Sequence, residues 1–208
     1  MNPIKLSRFS TDFVTSVLCS LRGLYFENSK KHWIVRLRHS SPEVERFIDS
    51  EQCAKLCLVG PITPDHVIRT KGWPLLIQWE SFVGSADEKK SGGLRRFLSK
   101  ELDRYARDYA SYFQRNNVRF NGGKIELDRL PRVLLIQGVG LVTVGLTLKA
   151  VDISADIYEH TVPTILHTAK IGDYSPVSRS HLFDCEYWEL EQRKLRLKKA
   201  PSGRTVLL

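Results

Sequence analysis

The chain has 208 residues, 42% of them hydrophobic and 26% charged, with a net charge of +9. That balance suits one globular domain with additional elements, and no apolar run approaches the roughly 20 residues a membrane-spanning helix needs. Arg8, Ser10, Thr11 and Asp12 interrupt any signal-peptide pattern at the start, so a cytoplasmic location is expected.

The elements follow in chain order. Residues 7–26 are predicted helical, because Phe9, Phe13, Val14, Val17, Leu18, Leu21 and Leu24 recur three and four apart; Gly23 and the Glu27–Lys30 stretch are expected to end or loosen the helix. His32–Arg38 alternates apolar and polar residues, as a strand does. Ser41-Pro42-Glu43 opens a short helix, with Ser41 as N-cap and Val44, Phe47 and Ile48 facing inward. A short apolar run from Ala54 ends at Gly60-Pro61. Pro64–Thr70 begins another helix, with Thr63 as N-cap. Trp73–Trp79 reads as a strand and 85–93 as a polar loop.

Residues 94–115 carry the clearest helical stripe, through Leu94, Leu98, Leu102, Tyr105, Tyr109 and Tyr112, with the charged residues between facing water. Arg132–Gln137 and Leu141–Val144 are apolar strands joined through Gly138 and Gly140. A helix is predicted over 146–169, with Leu148, Val151, Ala155, Tyr158, Val162, Ile165 and Leu166 buried and a kink at Pro163. A final helix covers 179–197, and the residues after Ala200 are expected to be loose. Alternating strands and helices predict an α/β fold: a central mixed or antiparallel sheet flanked by helices.

The excess charge is local. Residues 193–208 hold six basic residues and no acidic one; taking those six from 32 leaves 26 against 23 acidic residues, a net of +3. A solvated basic tail is the simplest reading, and binding of an anionic polymer through that tail is the alternative. Cys19, Cys53, Cys57 and Cys185 lack the paired spacing of a zinc site and read as free thiols of a reducing compartment.

Three polar constellations remain. Gly138-x-Gly140 follows a strand, but Leu141–Val144 continues as a strand where a dinucleotide-binding turn would start its helix, so a hairpin is expected. The segment Asp65, His66, Arg69, Lys71 is dense in polar groups; it reads either as a capped helix with an Asp65–Arg69 surface pair or as a polar pocket for an anionic ligand. His160 and His167 stand seven apart, two turns rather than the one that helical metal pairs use.

Two loops carry a family resemblance: Gly60-Pro61-Ile62-Thr63-Pro64, and the Leu134–Gly145 segment with Gln137-Gly138-Val139-Gly140. Both resemble the signature loops of the class II aldolase/adducin family. Thr63–Lys71, Ala155–Thr161 and Leu182–Gln192 extend the resemblance over roughly residues 20–197, towards the bifunctional proteins that join a rhamnulose-1-phosphate aldolase domain to a short-chain alcohol dehydrogenase. The resemblance implies a three-layer αβα arrangement. It also implies a divalent metal such as zinc, held in active members by histidines at positions where this chain has Gly60, Ile62 and Val139. None of those three side chains can ligate a cation.

The expectation is therefore a degenerate, non-catalytic aldolase-like domain over 41–178, preceded by an N-terminal helix and strand (1–40) and followed by a C-terminal helix (179–200) and a flexible tail (201–208). It has no catalytic or metal residues of its own. It would be a fragment or subunit of a sugar-phosphate enzyme of rhamnose-type carbohydrate metabolism, forming a homo-oligomer or associating with aldolase or dehydrogenase polypeptides. No membrane or nucleic-acid partner is expected. The alternative is an active aldehyde-lyase whose metal is held by His66, Glu159 and His160.

Overall fold

The structure is a computed structural model that describes residues 9–79, 82, 92–172 and 174–197. The chain forms helices α1 (Thr11–Ser29), α2 (Pro42–Ile48), α3 (Glu51–Leu56), α4 (Val67–Thr70), α5 (Gly93–Asn117), α6 (Leu148–Ile171), α7 (Arg179–Glu186) and α8 (Glu189–Leu197). Its strands are β1 (Ile34–Arg38), β2 (Leu75–Ile77), β3 (Val133–Ile136) and β4 (Gly140–Gly145).

The strands make one sheet in the order β1-β4-β3-β2. β1 and β3 both pair antiparallel with β4, and β2 pairs parallel with β3. The β3–β4 connection is the hairpin that the glycines announced: Val139 N donates to Ile136 O at 3.0 Å, and Gly138 and Gly140 take φ of 68° and 121°. A side chain would strain either position.

Strand periodicity sorts the core onto two faces. Leu134 and Ile136 of β3, Val142 and Val144 of β4, and Leu75 and Ile77 of β2 join one cluster with Val17, Leu21 and Tyr25 of α1 and Leu98, Leu102 and Tyr105 of α5. Val133, Leu135, Leu141 and Leu76 point the other way, onto Val44, Phe47 and Ile48 of α2, Cys53 of α3, and Tyr158 and Val162 of α6. All four β3 side chains are wholly buried. A strand apolar on both faces is what a central position demands. Burial contributes about 1.5–3 kcal/mol for each of these side chains. The result is a mixed sheet with helices packed on it.

The caps follow the sequence closely. Ser41 accepts from Val44 N at 3.4 Å, and Thr147 accepts from Ala150 N at 3.2 Å. Thr63 occupies the cap position but makes no side-chain cap bond, and Pro64–His66 is a 3₁₀ turn ahead of α4.

Several expectations are corrected. Gly23 does not end α1, which runs on to Ser29; a Cβ there would sit 2.8 Å from Arg95 Nη1, so the glycine admits the α5 side chain. The first half of the 54–59 run belongs to an unforeseen helix, α3. The strand within Trp73–Trp79 keeps only Leu75–Ile77. Leu148 is 59% exposed, because it stands at the first position of α6 before that helix meets the sheet. The helix predicted over 146–169 is present as α6, with Pro163 inside it, and runs on to Ile171. The final helix is broken between α7 and α8, where Tyr187 is buried and Trp188 exposed. The N-terminal helix and strand share the sheet and core of the rest of the chain. Most of the 85–93 loop and the tail after Ala200 lie outside the described residues. Among the described residues no helix is long and apolar enough to cross a membrane.

Candidate functional site

The polar segment after Gly60 divides in two. Asp65 is exposed. His66 is partly buried, its Nδ1 is enclosed without a partner, and burial pushes its pKa down against the pull of Asp65. Arg69 is half-buried, and its carbonyl accepts from Ser154 Oγ at 3.1 Å. Lys71 departs from this group. It closes α4 with φ 67°, in the left-handed region, and its side chain turns inward.

Inside, Lys71 Nζ donates to Asp128 O at 2.8 Å, lies 3.6 Å from Glu186 Oε1 and sits 3.9 Å from the centre of the Tyr109 ring. Tyr109 Oη donates to Glu186 Oε1 at 2.8 Å and shares a 2.8 Å hydrogen bond with Tyr187 Oη. Burial pushes Lys71 down and Glu186 up, and each draws the other back toward its charged form. Arg132 pairs with Asp128 and covers the Trp33 ring at 4.7 Å. Burial alone would raise Asp128, but Arg132 and Lys71 outweigh it and lower its pKa to about 2. Lys71 and Glu186 are only 5% and 1% exposed, so this network holds α4, α5 and α7 together rather than meeting solvent.

Among the described residues, two cavities open on the surface. The first, of about 350 Å³, is lined by Trp73, Pro74, Leu75, Leu76 and Gln78 around the edge strand β2, by Ala54 and Leu58, by Arg104, Tyr105, Asp108, Ser111 and Arg115 of α5, and by Arg179 of α7. Tyr105 Oη donates to Trp73 O at 3.0 Å, and the Arg179 guanidinium lies 4.5 Å above the Trp73 ring. The second, of about 480 Å³, surrounds the β3–β4 turn and is lined by Phe9, Thr11, Val14, Leu37, His39, Glu45, Asp49 and Gly138–Gly140. There Asp49 Oδ1 accepts from Gly138 N at 2.6 Å. Asp65, His66, Arg69 and Lys71 line neither cavity.

The metal expected of the resemblance can be tested against the residues at its positions. Gly60, at φ 135°, is packed so that a Cβ would meet Pro176 at 3.3 Å, and its carbonyl accepts from Tyr174 Oη at 3.2 Å. Ile62 is half-buried. Val139 packs in the hairpin turn against the α1 side of the core. These residues do not fit a cation. Among the described residues, no group of three or more His, Cys, Asp or Glu side chains is placed to hold a metal ion. The ligand set His66, Glu159, His160 is not gathered either: Glu159 Oε2 accepts from Ser41 N at 3.4 Å, and His160 is exposed on α6.

Sequence reasoning missed the arginines of the first cavity. For the two on α5 the signal was a second stripe, with Arg104, Asp108, Ser111 and Arg115 four, three and four residues apart, flanking the aromatic one.

Comparison with known proteins gives three findings. The family described as "Aldolase class II, second domain" matches residues 13–195. YuxG of Bacillus subtilis (strain 168), named as an uncharacterized oxidoreductase, is 26% identical over 184 residues, which is 88% of this chain but 25% of that protein. The chain thus spans about a quarter of that relative's length. No solved structure matches.

Proposed function

From the premise that the chain belongs to the family of class II aldolase second domains, we propose that it is a non-catalytic aldolase-like domain of a larger sugar-phosphate enzyme. In this reading the enzyme joins an aldolase part to a short-chain dehydrogenase part, as in rhamnulose-1-phosphate aldolase/alcohol dehydrogenase proteins. It works in cytoplasmic carbohydrate metabolism. The domain has the three-layer αβα arrangement and contributes contact surface, either to its own copies or to the aldolase and dehydrogenase parts.

One observation carries the proposal. By the resemblance the family's histidines would fall at Gly60, Ile62 and Val139, and Gly60 and Val139 are locked by packing and by turn geometry. Class II cleavage needs a cation to stabilise the enediolate that forms as the carbon–carbon bond breaks. A domain without that ligand set gives no such stabilisation by the family's route. The relative's name, an oxidoreductase four times longer than the matched segment, supports the fused setting.

The test is metal content and activity together. The purified chain is expected to hold no stoichiometric zinc or manganese by elemental analysis and to leave rhamnulose 1-phosphate uncleaved with zinc supplied. One bound metal per chain, with cleavage abolished by a chelator, would overturn the reading.

A further inference from the structure

We propose that the second cavity, at the β3–β4 turn, binds a small primary amine with an aromatic or branched apolar body, its ammonium group held by Glu45 and Asp49. This goes beyond the non-catalytic reading and does not rest on it.

β1 and β3 both run antiparallel to β4, and β2 runs parallel to β3, so β1, β2 and β3 share one direction. Their carboxyl ends meet along one rim of the sheet. The cavity sits on that rim, with His39 just past the end of β1 and Gly138 just past the end of β3. Outside the carboxyl ends of the strands is where open α/β sheets bind their ligands. The volume, about 480 Å³, falls within the range of small-molecule sites, about 300–1,000 Å³.

The lining selects the ligand. The chain carries a net charge of +9, yet among the described residues no Lys or Arg lines this cavity, while Glu45 and Asp49 do. The two stand one helical turn apart, Glu45 in α2 and Asp49 at its C-cap. Asp49 Oδ1 accepts from Gly138 N at 2.6 Å, which orients the carboxylate. Its Oδ2 and the Glu45 carboxylate have no cationic partner among the described residues. Opposite them Phe9 forms an aromatic wall, held by stacking on Phe13 at 4.4 Å and by an edge contact with Trp79 at 5.4 Å. An aromatic ring near uncompensated carboxylates attracts an organic cation twice over, by charge and by its π face. Leu37 and Val139 extend the apolar side. A bare metal ion is a poor match, because among the described residues no group of three or more ligating side chains converges. A polyamine would find one acidic end and an apolar one, whereas an amine with a single charge and an apolar body fills both.

The experiment titrates the isotope-labelled full chain, at matched ionic strength, with 2-phenylethylamine, 2-phenylethanol, 3-phenylpropionate, methylammonium and spermidine, and follows the backbone amide resonances. 2-Phenylethylamine should shift the Gly138 and Gly140 amides with a Kd below about 1 mM, and each of the other four should bind at least tenfold more weakly. Glu45→Gln and Asp49→Asn should each weaken 2-phenylethylamine by about tenfold, and Phe9→Leu by about threefold. Glu43→Gln, on the same helix but outside the cavity, should leave it unchanged. Glu45→Lys should lose the amine and gain 3-phenylpropionate, a reversal that misfolding cannot produce. The proposal falls if 2-phenylethylamine leaves the Gly138 and Gly140 amides unmoved up to about 10 mM, or if 2-phenylethanol or 3-phenylpropionate binds the unaltered chain as tightly. It falls as well if methylammonium or spermidine matches 2-phenylethylamine, which would mean attraction by charge alone, or if both Glu45→Gln and Asp49→Asn bind the amine normally.

Discussion

At the scale of single residues, the buried Lys71–Glu186 pair governs the fold's tolerance. Lys71 is the only cation placed between Asp128 O, Glu186 and the Tyr109 ring in the hydrogen bonds, ion pairs and ring contacts of the described residues. Removing one partner leaves the other charge enclosed and uncompensated, so Glu186→Ala should destabilise the chain by about 3–5 kcal/mol, read from urea unfolding. Asp128 gives a pH signature. Its folded pKa, about 2, lies below the ordinary 3.8, so the stability it contributes is present above pH 4 and is lost as pH falls from about 4 to about 2. Asp128→Asn should lower the unfolding midpoint at neutral pH and flatten its fall across that window; an unchanged acid limb would count against the Asp128–Arg132 pairing. Nothing near Lys71 in the sequence revealed this role. Its partners stand at 128 and 186, and local spacing places a lysine after a short polar helix at the surface.

At the scale of elements, what was readable depended on whether the deciding contact was local. The α5 stripe was legible because Leu98, Leu102, Tyr105, Tyr109 and Tyr112 meet the core along one face at regular spacing. The Ser41 and Thr147 caps were local chemistry too, although only Ser41 was foreseen. The α7–α8 break was not legible: Tyr187 is drawn inward by a hydrogen bond to Tyr109, 78 residues earlier, and by stacking on Phe183 at 4.3 Å. The close approach of Arg95 to Gly23 likewise comes from another helix and leaves no mark in the sequence of α1. The candidate site shares that origin. Its arginines come from α5 and α7, and only folding brings Arg179 over Trp73. One junction is especially tight. A Cβ on Gly145 would lie 3.1 Å from Ala150 Cβ and 3.2 Å from Val151 N, where β4 turns into α6. Gly145→Ala should therefore cost about 1–3 kcal/mol, measurable as a drop in Tm, because the obstacle includes backbone that cannot rotate away.

At the scale of the whole molecule, the order β1-β4-β3-β2 interleaves the two halves of the chain. The outer strands come from before Phe82 and the inner pair from after Gly92. Register between β1 and β4 joins Ile34 to Gly145, so most of the sheet closes only after distant segments meet. Folding should accordingly be slow for a chain of this size. The arrangement works as a clasp whose jaws belong to one piece and whose tongue belongs to the other. Cut anywhere between Phe82 and Gly92, neither piece retains a full set of neighbours: the first keeps two strands that never touch, the second a hairpin with its helices but neither flanking strand. Expressed separately, the two pieces should stay unstructured by circular dichroism, and mixing them should restore helical signal in equal proportion. A first piece that folded unaided would break the clasp picture.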